Sequence, residues 1–157
     1  MPSRRNSIAL SEEETRAFLE ASKTVIIVSN GVGGYPHPMP MWFCVDAAGV
    51  VRCTTFAKSQ KVLNYERDPR ATLLVETGTE YAKLRGVVIY ARCEIEAQPQ
   101  AVVDTLVAIN SRGRSLSAAE RAALAGAVAK TAAKRVVLAF HPERYVSWDH
   151  AKLAGRY

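Results

Sequence analysis

Residues 54–70 have the sequence Thr54-Thr55-Phe56-Ala57-Lys58-Ser59-Gln60-Lys61-Val62-Leu63-Asn64-Tyr65-Glu66-Arg67-Asp68-Pro69-Arg70. An apolar run from Val50 to Cys53 precedes them and predicts a β-strand, which ends at two hydroxyl side chains. A short helix is predicted from Lys58 to Arg67, because the residue before Pro69 is disfavoured in the α-helical region. The stretch therefore indicates a strand that leads through a turn into a helix.

The start of this predicted helix combines positive charge with hydrogen-bond donors. The first N–H groups of a helix are unpaired and the helix dipole is positive there, so the position favours an anion. The sequence adds the side chains of Lys58, Ser59, Gln60 and Lys61, which supply charge and further donors. We predict a phosphate site at this turn. The alternative is a solvated basic turn, since the glycines of phosphate-binding loops are absent.

Prolines occupy every second position in the extended run before this strand. Pro36, Pro38 and Pro40 have no backbone N–H, and in a strand their nitrogen atoms would all lie along one edge. That edge cannot be fully paired with a neighbouring strand. The pattern predicts an edge strand over His37–Val45, which either receives a planar ligand or faces solvent.

The rest of the chain consists mainly of strand-like runs joined by short turns. Further strands are predicted at Thr24–Val28, Ala71–Glu76, Tyr81–Glu96, Arg135–Phe140 and Arg144–Trp148, and helices at Ser11–Ala21, Pro99–Asn110 and Ser117–Ala133. Gly86, inside the longest strand, suggests a bulge or a close approach by another backbone or a ligand. About six strands in hairpin connection predict a mainly β fold, a closed antiparallel barrel with flanking helices.

The length and the charge of the chain limit its function. A chain of 157 residues has the size of one domain, over residues 1–157, and its formal net charge of +6 favours an anionic partner. The basic residues match no nucleic-acid-binding motif, so a small phosphorylated or carboxylate-bearing molecule is favoured over nucleic acid. The sequence has no apolar run long enough for a membrane span or a signal peptide, and a cytoplasmic protein is expected.

Few residues indicate catalysis. Cys44, Cys53 and Cys93 lie in strand-like runs and are expected to be buried free thiols. The three histidines show no metal-ligand spacing, and no nucleophile motif is present. We therefore assign no catalytic residue and no metal, a pattern typical of a protein whose cofactor carries the reaction.

The chain contains five segments, in this order: Gly34–Trp42, Lys58–Asn64, Asp68–Val75, Leu84–Val87 and Ser147–Leu153. Together they resemble the pyridoxamine 5′-phosphate oxidase-like family of flavin-binding split barrels, and most closely its actinobacterial branch that uses the deazaflavin coenzyme F420. The resemblance implies a six-stranded antiparallel split β-barrel with flanking α-helices. It also implies a homodimer with two cofactor sites along the subunit interface.

The resemblance further implies which residues hold the cofactor. The phosphate would contact Lys58, Ser59, Gln60 and Lys61, supported by Thr54, Thr55 and Asn64. The ring system would lie along the strand formed by Pro38, Met39, Pro40, Met41 and Trp42. The partner subunit would contribute Tyr81, Arg85, Trp148 and Lys152, with packing in the core or at the dimer contact as the alternative role of Trp148.

The activity implied by the resemblance is F420-dependent transfer of a hydride between the cofactor and a conjugated small organic substrate. The alternatives are an FMN-dependent oxidoreductase of the pyridoxamine phosphate oxidase type and a non-catalytic protein that binds a deazaflavin, a flavin or haem. Ala91 stands where many relatives have glycine, and their arginine-rich phosphate clamp is not evident. A helical insertion over residues 97–134 is expected to shape the substrate side.

Overall fold

The computed structural model describes residues 4–154. The helices are α1 (Arg4–Ser7), α2 (Glu12–Ala21), α3 (Gln60–Arg67), α4 (Pro99–Asn110) and α5 (Ala118–Ala132). The strands are β1 (Thr24–Asn30), β2 (Pro36–Trp42), β3 (Cys44–Val45), β4 (Val51–Phe56), β5 (Arg70–Thr77), β6 (Arg85–Glu96) and β7 (Arg135–Asp149). Short 3₁₀ turns lie at Val32–Gly34, Tyr81–Lys83 and His150–Leu153. The mainly β character predicted from the sequence is confirmed.

The strands form one antiparallel sheet in the order β2-β1-β5-β6-β7-β4-β3. The proline-rich strand β2 lies at one edge and β3 at the other. The sheet is therefore a half-barrel that is open between β2 and β3, and the expectation of a closed barrel is wrong. The predicted position of the proline-rich run at a sheet edge is confirmed.

Within residues 4–154, the sheet has seven strands rather than the predicted six. The predicted run His37–Val45 is divided at Phe43, whose side chain is fully buried (0% exposed), and it continues as the two-residue strand β3. At the other end of the chain, the two predicted runs on either side of Pro142 form the single strand β7. Pro142 is tolerated because it lies next to a register shift, where Glu143 has no partner on β6.

Gly86 is a site of close approach and not a bulge. The bulge lies on β7, where Glu143 is the extra residue opposite Tyr90 and Ala91 of β6. Gly86 is paired across the sheet with Trp148, and the indole of Trp148 occupies the space that a Cβ on Gly86 would need. The predicted bulge at Gly86 is therefore wrong, and the close approach is made by a side chain rather than by the predicted backbone or ligand.

Buried side chains form two apolar clusters on opposite faces of the sheet. Alternate residues of β7 show this division, since Leu138 and Phe140 belong to the first cluster while Val137 and Ala139 belong to the second. Helices α2 and α3 contribute to the first cluster. Helices α4 and α5 contribute to the second, so the predicted insertion covers the outer face of β4 and β7.

The helix boundaries follow from local hydrogen bonds. The predicted capping box of α2 is present, with Glu14 N donating to Ser11 Oγ (3.1 Å) and Ser11 N donating to the Glu14 carboxylate (2.8 Å). Helix α3 begins at Gln60, later than predicted, because Ser59 N donates to Phe56 O (3.0 Å) and closes a turn first. No helix within residues 4–154 has the length and apolar character needed to cross a membrane.

Candidate functional site

A lysine and two hydroxyl groups meet where β4 passes into α3. Lys61 Nζ donates to Thr55 Oγ1 over 3.0 Å, and Ser59 Oγ lies 3.3 Å from the same oxygen. Thr55 is buried (4% exposed), whereas Lys61 is partly exposed. Ser59 is the N-cap residue of α3, but its side chain does not cap the helix and lies beside Thr55 instead. This cluster confirms that the strand, the turn and the helix place charge and hydroxyl groups together.

Arg135, the first residue of β7, adds a second cation that the sequence analysis missed. It lies opposite Phe56 in the β4–β7 pairing, and its guanidinium stacks 4.5 Å from the centre of the Phe56 ring. Its Nη1 donates to the carbonyl and hydroxyl oxygens of Thr54, each at 3.4 Å. Its Nε is buried without a hydrogen-bond partner. Arg135 thus carries an unused donor close to the turn.

The two cations influence each other. Burial lowers the pKa of Lys61 from its usual value, and the positive charge of Arg135 lowers it further. Neither side chain forms an ion pair with a carboxylate in the described part of the chain. Two cations without an acidic partner, beside buried hydroxyls and a helix start, favour the binding of an anion.

The other residues predicted at the turn have different positions. Lys58 is exposed and forms no hydrogen bond or ion pair within the described residues. Asn64 is fully buried (0% exposed), where it donates to Ser29 Oγ (2.9 Å) on β1 and accepts from Gln60 Nε2 (2.9 Å). Asn64 therefore fastens α3 to β1, and Gln60 holds the Asn64 amide in place. Because Asn64 is fully buried, a ligand does not reach it.

Strand β2 presents its prolines to solvent. Pro38, Pro40 and Trp42 are exposed, while Met39 and Met41 point to the opposite face and pack against the first apolar cluster. Proline has no backbone N–H to donate, so the residues between the prolines must make the hydrogen bonds of the β1–β2 ladder. The backbone atoms of the prolines therefore lie at the open edge of the sheet. This edge is available to a flat ligand with hydrogen-bonding groups.

The residues that the resemblance assigned to the partner subunit form a separate cluster. Arg85 pairs with Asp149 (3.4 Å) and stacks on Phe18, and Lys152 donates to Glu14 (2.6 Å). Tyr81 packs against the ring of His150, and Trp148 lies on Gly86. All of these contacts hold the end of β7 and the following turn against α2 and the start of β6.

The two clusters lie at opposite ends of β7. Arg135 begins this strand and Trp148 is near its end, so about 40 Å of strand contour separates them. One chain therefore does not bring all the predicted cofactor residues together. A cavity of about 900 Å³ also lies away from the turn, between the α1–α2 segment, the β3–β4 turn and Tyr145. Within residues 4–154, no group of three or more His, Cys, Asp or Glu side chains is placed to hold a metal ion.

Comparison with known proteins identifies relatives of this chain. A family model described as pyridoxamine 5′-phosphate oxidase matches residues 11–149. No curated protein matches this chain.

Solved structures share the fold. A conserved hypothetical protein from Mycobacterium tuberculosis is 35% identical, with a TM-score of 0.85 over 96% of this chain and 91% of the other. An F420 reductase is 22% identical, with a TM-score of 0.61 over 83% of this chain and 94% of the other. An FAD-binding protein from Mesorhizobium loti is 17% identical, with a TM-score of 0.59 over 88% and 93%. At their low identity, the last two establish likeness of fold.

Proposed function

The chain belongs to the pyridoxamine 5′-phosphate oxidase family, and from that premise we propose that it is an F420-dependent oxidoreductase. It would move a hydride between the deazaflavin and a conjugated small organic substrate. The fold likeness to an F420 reductase supports this proposal. The observation that carries it is the pair of unneutralised cations, Lys61 and Arg135, beside the hydroxyls of Thr55 and Ser59.

These residues fit the phosphate of a flavin or deazaflavin. A phosphate oxygen beside Lys61 and Arg135 would receive charge-assisted hydrogen bonds, and the buried Nε of Arg135 would gain the partner it lacks. The α3 dipole would add to the attraction. The hydroxyl groups of Thr55 and Ser59 would donate hydrogen bonds to the same phosphate. Lys58, which is exposed, would contribute long-range charge rather than a fixed contact.

The cofactor supplies the hydride chemistry when it is bound, and the chain orients and shelters it. The open edge of β2 would face the ring system, with backbone atoms at Pro38 and Pro40 along its side. Asn64 would keep α3 in the direction that places the phosphate site at the end of β4. No described side chain lies where it would evidently donate the proton that the reduced substrate needs, and solvent would supply it.

The site is completed, in this proposal, by a second copy of the chain. The cluster of Arg85 and Trp148 lies at the far end of β7 from the phosphate cluster, and a twofold partner would bring one chain's far end to the other chain's turn. The outer sheet face offers a surface for such a partner. Five cross-strand neighbours form an apolar row there, with Pro40 exposed and Ile26, Leu74, Val88 and Val146 half-exposed.

A side-by-side titration of the purified protein with F420 and FMN tests the function. Quenching of the emission of Trp42 and Trp148 would report binding. Tight binding of F420 with weak binding of FMN supports the proposal, and the reverse preference would assign the protein to the FMN-dependent alternative. Binding of neither cofactor would overturn both.

Turnover separates an enzyme from a protein that only binds its cofactor. Reduced F420 is mixed with the protein and an enone or a quinone, and loss of the reduced form is followed by absorbance. The proposal expects turnover that depends on the protein. Tight cofactor binding without turnover of any acceptor would favour the non-catalytic alternative.

A further inference from the structure

The cavity of about 900 Å³ lies far from the phosphate turn and on a different face from the apolar row. It is lined from residues 5–19, 45–49 and 145–147. Tyr145 is opposite Ile89 in the β6–β7 pairing, and Ile89 belongs to the first apolar cluster. Val88 and Val146, in the row proposed for the dimer contact, alternate with these residues and lie on the other face. About 33 Å of strand contour separates Tyr145 from Arg135.

Hydrogen bonds hold the walls of this cavity in place. On one side, Leu10 N donates to Ser147 Oγ (2.9 Å) and ties the segment before α2 to β7. On the other side, Ala48 N donates to the Asp46 carboxylate (2.9 Å) within the β3–β4 turn. The cavity is therefore formed before any ligand arrives, and its volume lies within the range of about 300–1,000 Å³ that is typical of ligand pockets.

Tyr145 supplies an unused hydroxyl group to this cavity. The side chain is 42% exposed, and burial raises the pKa of Tyr145 from its usual value, so the hydroxyl is protonated at neutral pH. It forms no hydrogen bond within residues 4–154. A Cβ on Gly49 would lie 3.9 Å from the hydroxyl oxygen, so this group lies beside the β3–β4 turn. It is free both to donate and to accept a hydrogen bond.

The charged side chains at the cavity leave no free cation among its described lining residues. Arg16 pairs with Glu20 (3.0 Å), and Arg5 also interacts within the chain. Glu12 and Glu13 lie in the first turn of α2, where the helix dipole stabilises acidic side chains. A bound anion would lose its hydration without gaining a positive partner, in contrast to the phosphate turn. The charges therefore favour an uncharged ligand.

The rest of the lining is largely apolar. Leu19 is buried, and Leu10 and Val45 are partly buried against the first apolar cluster. Ala47 and Ala48 are small and leave the space above these side chains open. Such a surface stabilises a bound ring by removing apolar area from water.

We propose that this cavity is a second ligand site, which binds an uncharged ring compound through a hydrogen bond between its hydroxyl or carbonyl oxygen and the Tyr145 hydroxyl. The site contains none of the residues assigned to the cofactor. It therefore adds a binding activity to the proposed function and does not depend on it.

The test compares 2-naphthol, an uncharged fused ring with one hydroxyl, with 2-naphthoate, which carries a negative charge on the same ring. Each compound is titrated into the wild-type protein by calorimetry. We expect 2-naphthol to bind with a Kd on the order of 0.1 mM. We expect 2-naphthoate to bind at least about tenfold more weakly, because its carboxylate would be desolvated without a cation.

Two variants locate the binding site. Tyr145→Phe removes only the hydroxyl and should raise the Kd of 2-naphthol about two- to tenfold, the size of one hydrogen bond between uncharged groups. Its control is Tyr90→Phe, on the opposite face of the sheet, which should leave the Kd unchanged. Ala48→Trp, at an exposed turn position, fills the cavity and should abolish binding. Its control is Ala123→Trp, which adds the same side chain to the exposed side of α5.

Three results would overturn this proposal: no binding of 2-naphthol to the wild type, tighter binding of 2-naphthoate, or wild-type affinity for 2-naphthol in either cavity variant. Circular dichroism checks the fold of each variant, and Tyr145→Phe with its control decides if Ala48→Trp does not fold. None of these results changes the titration with F420 and FMN, so the proposed function is tested separately.

Discussion

The indole of Trp148 lies on Gly86, its cross-strand partner, and fills the space where any other residue would carry its Cβ. The pair joins the start of β6 to the end of β7 on the outer face of the sheet. It explains why a glycine is present inside a long strand, where glycine ordinarily weakens the pairing.

Replacing Gly86 with alanine should destabilise the protein. The new methyl group would overlap the indole, and its displacement should lower the free energy of unfolding by about 1–3 kcal/mol. Urea denaturation measures the change. The control is Gly126→Ala on α5, where no atom lies within 4 Å of the added Cβ, and it should stabilise by about 0.5–1 kcal/mol. Equal effects of the two substitutions would contradict the packing described for Trp148.

The buried hydrogen bond between Asn64 and Ser29 should contribute to stability. Asn64→Ala leaves Ser29 Oγ without its donor and should lower the free energy of unfolding by about 1–3 kcal/mol. A double-mutant cycle with Ser29→Ala should give a coupling energy of about 1 kcal/mol, measured by denaturation. Additive effects of the two substitutions would show that the bond does not link α3 to β1.

Lys61 and Lys58 should differ in their effect on cofactor binding. Lys61 is fixed beside Thr55, and loss of one charge-assisted hydrogen bond of about 1.5–3 kcal/mol predicts a roughly ten- to hundredfold higher Kd for Lys61→Ala. Lys58 is exposed, so Lys58→Ala should raise the Kd less than about fivefold. Fluorescence titration with F420 measures both. A larger loss of affinity in Lys58→Ala than in Lys61→Ala would place the phosphate on the outer side of the turn.

Arg135 should contribute as much to cofactor affinity as Lys61 does. Arg135→Ala removes a cation that has no acidic partner, so the expected result is a roughly ten- to hundredfold higher Kd. The conservative variant Arg135→Lys should recover part of the affinity, because a lysine keeps the charge but not the planar set of donors. The same titration applies, with thermal unfolding as the control for folding. Wild-type affinity in Arg135→Ala would remove Arg135 from the site.

The cysteines should react slowly and with a steep pH dependence. Burial raises the pKa of Cys93 to about 12, and burial also raises the pKa values of Cys53 and Cys44. Because of the raised pKa, the Cys93 thiol is neutral at about pH 8, where on the order of one molecule in ten thousand carries the ionised form. Ellman's reagent should therefore label the native protein far more slowly than the denatured protein, and faster as the pH rises. Rapid labelling of all three native thiols would contradict this burial.

The proposed dimer predicts a specific monomeric variant. Val88 lies in the apolar cross-strand row of the outer sheet face, and Val88→Glu would place a charge in the middle of the contact. Light scattering should give twice 17.2 kDa for the wild type and 17.2 kDa for this variant. Ala123→Glu, on the exposed side of α5, is the control and should stay dimeric. A monomeric wild type that binds F420 tightly would contradict the shared site.

Local patterns in the sequence predicted most of the elements. The capping boxes of α2 and α5 located both helix starts, because their signals lie within one helical turn. The alternating prolines correctly placed β2 at a sheet edge. The strand count was wrong because a buried residue, Phe43, divides an extended run, while a bulge carries β7 past Pro142. Burial and register depend on neighbours far away in sequence, which local patterns do not contain.

At the candidate site, too, some features follow from local sequence and others from contacts between distant segments. By itself, the sequence determined that a strand with terminal hydroxyls leads into a basic helix start, because these features follow one another along the chain. Only the tertiary structure decided that Arg135 joins Lys61, that Lys134 lies against the same turn, and that Asn64 is buried. The physical reason is the pairing of β4 with β7, which brings segments nearly 80 residues apart into direct hydrogen bonding.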